Sequence, residues 1–80
     1  MKFADIQDKL EMTNAEVSRL FFCAEPTIWR WRKGREPSSM VRSILAICPE
    51  DADLSEIKNE SIKYGPLYAL YKLLEELYHE

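Results

Sequence analysis

The chain has 80 residues, 46% of them hydrophobic and 31% charged, with a formal net charge of -3. At this length one compact domain buries roughly 60% of the surface of its unfolded chain, so stability is modest and a partner subunit would add to it. No stretch approaches the roughly 20 apolar residues of a membrane span, and acids break the opening "MKFADIQDKL" so that it lacks the form of a signal peptide; a cytoplasmic location is expected.

Phe3, Ile6 and Leu10 stand at helical spacing and predict a first amphipathic helix over residues 3–11. Thr13 opens "TNAE", in which its hydroxyl caps a second helix and the Glu16 carboxylate reaches back to the Thr13 amide. Val17, Leu20 and Phe21 form the apolar stripe of that helix. After a break near "FCAEP", Pro26 suits the first turn of a third helix, where a missing amide hydrogen has no acceptor to lose. Ile28 and Trp31, three apart, point inward from it; Gly34 suits the left-handed residue past its end, and Pro37 prevents continuation.

Ser38 is placed to cap a fourth helix carrying Val41, Ile44, Leu45 and Ile47, which Pro49 terminates. The acidic "EDADLSE" reads as a loop into a fifth helix from about residue 54, with Asp53 as its cap. Gly65 and Pro66 separate this from the strongly helical "PLYALYKLLEELYHE". The two Gly and four Pro fall between apolar-periodic segments, and no β-branched alternation suggests a sheet. An all-α fold of about five to six short helices is expected, with residues 1–64 as one domain and residues 65–80 as a C-terminal helix belonging to it.

Charge is unevenly spread. Residues 19–42 carry Arg19, Arg30, Arg32, Lys33, Arg35 and Arg42 against Glu25 and Glu36, a net +4; the remainder carries five bases against twelve acids, a net -7. Such separation presents one face to a polyanion and another to solvent or a different partner.

Catalytic chemistry has little to stand on. The single histidine, His79, is penultimate and expected to be exposed. No glycine-rich phosphate loop, metal constellation or nucleophile with an evident base is present, so no enzyme activity, cofactor or metal is expected. Cys23 and Cys48 are widely spaced and read as small buried apolar residues.

In the last helix Leu67, Leu70, Tyr71, Leu74, Leu77 and Tyr78 make one stripe, which Leu73 and Tyr68 widen to an arc of about 220°, where one-sided packing needs somewhat over 100°. Self-association through these residues is the economical reading; complete burial within one chain is the alternative.

The segment "TNAEVSRLFFCAEPTIWRWRKGREP" resembles the lambda-repressor-like helix-turn-helix family, the Cro and repressor (XRE) type, with the motif at residues 13–34 and the resemblance extending over residues 13–47. Ser18 takes the small-residue position where the two motif helices cross, Val17, Leu20, Ile28 and Trp31 are core, and "KGREP" matches the following loop. Phe22 stands where the family places a turn glycine, so an altered or lengthened turn is expected, and Ala24 replaces a Ser or Thr cap.

The resemblance implies that the third helix lies in the major groove of double-stranded DNA. It implies base contacts from Ala24, Glu25, Pro26, Thr27, Trp29 and Arg30, with Arg30 suited to guanine O6 and N7 and Glu25 to cytosine N4. Glu25 could equally cap the helix or pair with a base, and Trp29 could pack on another element instead. Asn14, Arg32, Lys33, Arg35 and Ser38 would hold phosphates. A small homodimeric repressor on an inverted-repeat operator, in the nucleoid of a bacterial or phage-infected cell, is the function so implied. The rivals are a protein-binding antitoxin or inhibitor and a DNA-binding accessory of a recombination complex.

Overall fold

The computed structural model describes residues 2–78 and holds six helices: α1 (Phe3–Leu10), α2 (Asn14–Leu20), α3 (Glu25–Arg32), α4 (Ser39–Ile47), α5 (Ser55–Tyr64) and α6 (Pro66–Tyr78). No strand occurs among the described residues. The fold is all-α, at the upper end of the expected helix count.

Each boundary has a local cause. α1 begins where the Lys2 amide donates to the Asp5 carboxylate at 3.3 Å, and it ends where Glu11 turns left-handed at φ 56°. α2 starts on the reciprocal cap read from "TNAE": the Glu16 amide donates to Thr13 Oγ1 at 3.2 Å and the Thr13 amide to Glu16 Oε1 at 3.0 Å. The bond from the Thr13 amide holds the Glu16 carboxyl below the ordinary carboxylate range. Ser38 occupies the cap position of α4, but its side chain accepts no amide. At α5 the expected cap is displaced by one residue: Leu54 takes that position, and Asp53 Oδ1 accepts from the Ser55 hydroxyl at 2.8 Å and the Ser55 amide at 3.1 Å. Gly65 ends α5 at φ 97° and lets Pro66 open α6 at once.

One core joins all six helices. At its centre Phe3 meets Phe21 and Trp31 edge-on, with ring centroids 6.1 and 5.2 Å apart, tying α1 to the end of α2 and to α3. Ile6, Leu10, Leu20, Ile28, Ile44 and Leu73 are fully buried, each contributing about 1.5–3 kcal/mol of transfer free energy. α6 packs along α5 and touches α2 and α4, closing the bundle. The radius of gyration is 11.5 Å, as expected of a folded chain of this length. Among the described residues no helix is long and apolar enough to cross a membrane. Both cysteines are free, and burial pushes both thiols up.

α6 corrects one expectation. Of the six residues assigned to a self-association stripe, Leu70 is buried in the core and Leu74 and Leu77 pack against it, whereas Leu67, Tyr71 and Tyr78 are exposed. The chain reverses at Gly65 and lays α6 along α5, which turns Ala69, Leu70 and Leu73 inward and leaves Tyr68 outside. The exposed apolar arc is narrower than the periodicity implied, but it continues onto α5 through Tyr64. The Tyr64 and Tyr68 rings lie 4.8 Å apart across that corner. His79 and the last positions of the C-terminal segment lie outside the described residues.

Candidate nucleic-acid interface

α2 and α3 are joined by a short turn, residues 21–24, that contains Phe22. Phe22 itself takes the left-handed backbone, φ 56°, that a glycine adopts freely. The Cys23 amide donates to the Ser18 carbonyl at 3.0 Å and the Phe22 amide to the Arg19 carbonyl at 3.4 Å, the two bonds of a Schellman ending. Phe22 thus takes the left-handed backbone open to a glycine, held by these bonds against the roughly 1–2 kcal/mol that a Cβ costs in this region. Ser18 is buried at the crossing, its hydroxyl donating to the Ala15 carbonyl at 2.7 Å. Ala24 opens α3 without a side-chain cap.

α3 divides cleanly into two faces. Ile28 and Trp31 are buried, while Pro26, Trp29, Arg30 and Lys33 share an exposed face at the i, i+3, i+4, i+7 spacing of one helix stripe. Trp29 is 56% exposed, and Lys33 Nζ sits 4.9 Å from its ring centroid, so the tryptophan points outward and does not pack on another element. Ala24 and Glu25 are exposed and Thr27 is half-buried. Glu25 makes no ion pair among the described residues and lies in the first turn of α3, where the helix dipole favours an acid.

A second Schellman ending closes α3. Gly34 is at φ 109°, its amide donating to the Trp31 carbonyl at 3.2 Å and that of Arg35 to the Arg30 carbonyl at 3.0 Å. Arg35 and Ser38 leave this turn exposed. Arg35 and Lys2 flank a shallow groove of about 610 Å³ floored by Trp31, Pro37 and Leu45. Arg42 pairs at 2.8 Å with Glu36, which lines the same groove.

Arg32 departs from its expected place among the phosphate contacts. Its guanidinium turns back onto α1, donating to Gln7 Oε1 at 2.9 Å with the Asp8 carboxylate 3.8 Å away. Gln7 is the residue that the sequence reading passed over. It is 4% exposed, and its amide nitrogen donates to the Met12 carbonyl at 3.2 Å and to Asn14 Oδ1 at 2.8 Å. One buried amide thus ties the end of α3 to α1 and to the first residue of α2, using both its acceptor and its donors. Asn14 is half-buried and accepts through Oδ1 only, its amide nitrogen making no hydrogen bond among the described residues. The signal was in the sequence: Phe3, Ile6, Gln7 and Leu10 share the spacing of one helix stripe, so Gln7 is a polar residue placed among core positions.

The basic array that remains outward consists of Arg30, Lys33 and Arg35, beside Trp29 and Pro26. Comparison with protein-family models, with curated proteins and with solved structures finds no match for the chain.

Proposed function

We propose that the chain is a sequence-specific double-stranded DNA-binding protein, a regulator of the repressor type that grips an inverted-repeat operator as a homodimer. The observation that carries the reading is the outward face of α3: Trp29, Arg30 and Lys33 on one stripe, propped from behind by Ile28 and Trp31. A helix presented in this way fits the major groove, where an arginine fork matches guanine O6 and N7 and neighbouring bases meet phosphates. The charge separation agrees: a chain of net charge -3 concentrates its bases around this helix, which favours a polyanion locally while the acidic remainder stays in solvent. Repression, rather than activation, follows only from the family resemblance.

The second copy is assigned to the exposed apolar corner of α5 and α6, formed by Tyr64, Leu67, Tyr68 and Tyr71. Selection of bound sequences from a random duplex pool tests the whole reading. The expected result is an enriched motif with two-fold symmetry. A protein-binding antitoxin or inhibitor would enrich nothing, and a single unsymmetric motif would remove the dimer.

A further inference from the structure

We infer that Trp29 is a specificity-determining residue that reads the C5 methyl group of a thymine beside the guanine met by Arg30. This rests on the DNA-binding reading above and deepens it. Trp29 leaves more than half of its surface in water, although the same helix carries a second tryptophan, Trp31, that the core accepts at 8% exposure. The exposed indole stands on the outward face of α3 between the bases Arg30 and Lys33, so on the proposed DNA-facing surface it presents an apolar body to the base edges.

The surroundings narrow the contact. Lys33 holds its ammonium 4.9 Å from the ring centroid, so one side of the indole is committed to a cation that itself seeks phosphate. Pro26, three residues earlier on the same exposed stripe, adds a second apolar surface beside the ring. Between them lies a small apolar patch framed by Arg30 and Lys33. The major groove of B-DNA offers one apolar group on its base edges, the thymine methyl; its other features there are hydrogen-bond donors and acceptors. Trp29 and Arg30 are consecutive, about 1.5 Å apart along the helix axis, so both side chains reach the same short stretch of base pairs. The thymine is accordingly assigned next to the guanine in the half-site.

Deoxyuridine provides the test, since it removes only the methyl and leaves base pairing and hydrogen-bonding edges in place. In the duplex enriched by selection, thymines are replaced one at a time and affinity is followed by fluorescence anisotropy. One replacement next to the Arg30 guanine is expected to weaken binding about fourfold, the worth of one buried methyl. Trp29→Ala is expected to weaken the parent duplex by at least as much and to become indifferent to that replacement, while Trp29→Phe retains part of the discrimination. Equal affinity for every uracil-substituted duplex overturns the methyl contact and leaves the DNA-binding reading standing. A methyl effect that persists undiminished in Trp29→Ala overturns the assignment to Trp29. Failure to enrich any duplex overturns both readings.

Discussion

Phe22 carries the clearest unresolved tension between a residue and its backbone. Its φ of 56° lies where an L side chain costs roughly 1–2 kcal/mol, and its ring is 59% exposed, so little burial offsets that strain. Glycine at this position would lose about 0.5–1 kcal/mol through the freedom it gains in the unfolded chain, leaving a net advantage. Phe22→Gly is expected to raise the melting temperature, with a gain of up to about 1 kcal/mol in denaturant titrations. A lowered melting temperature would mean that the ring holds a contact more valuable than the strain. Arg30 and Arg35 differ in kind: Arg30 stands on the outward stripe of α3, Arg35 beyond the turn that ends it. Under the proposed function, Arg30→Ala costs about 1–3 kcal/mol on the selected site and relaxes choice at one G·C pair. Arg35→Ala should weaken selected and random duplexes alike and reduce the salt slope by about one. Exchange of these two signatures would exchange their roles.

Among the elements, α2 is the shortest at seven residues and depends most on its ends. Thr13→Ala removes one half of its reciprocal cap and is expected to cost about 1 kcal/mol. The other half is pH-dependent. The Glu16 carboxyl is held below its ordinary range, first by the Thr13 amide, so the folded state favours the charged form. Its contribution is present above the unfolded carboxyl value near pH 4 and is lost as the pH falls through the lowered folded one. Melts taken between pH 7 and pH 3 should show a smaller acid loss for Glu16→Gln than for the parent chain; parallel curves would remove Glu16 from the cause.

These ends were legible in the sequence because their partners lie within five residues: the "TNAE" cap, Pro26 in its first turn and Gly34 at positive φ all depend on local geometry. The all-α fold and the inward pair Ile28 and Trp31 were legible for the same reason, through spacing. What escaped depends on distance. The place of Gln7 on the α1 stripe can be read from residues 3–10, but its acceptor role requires Arg32, 25 residues further along. The periodicity of α6 gives the width of its apolar arc and not the direction from which α5 covers it, so Leu70 was set on the wrong side. At Phe22 the missing glycine spoke for a different turn, yet two backbone bonds, to the Ser18 and Arg19 carbonyls, hold the left-handed conformation.

At the scale of the whole molecule, the basic surface around α3 and the apolar corner of α5 and α6 are separate features, and a two-fold dimer gives each a use. Leu67 and Tyr71 are 71% and 62% exposed on one stripe of α6, and Tyr68 carries the apolar surface across to Tyr64 on α5, a surface that invites association. A two-fold axis would set this surface against its own copy. Under the proposed function, two α3 helices related in this way would meet successive major grooves, with half-site centres roughly 34 Å apart. Changing both Leu67 and Tyr71 to Ser is expected to shift sedimentation from dimer to monomer and to make operator binding steeply concentration-dependent. Helical circular dichroism should persist, because neither side chain belongs to the core. Leu70→Ser is the contrasting case: that residue is 7% exposed, and its loss, at about 2–5 kcal/mol, should unfold the chain rather than dissociate it. A monomeric parent chain at micromolar concentration, or intact dimers in the doubly substituted variant, would place the interface elsewhere or remove it.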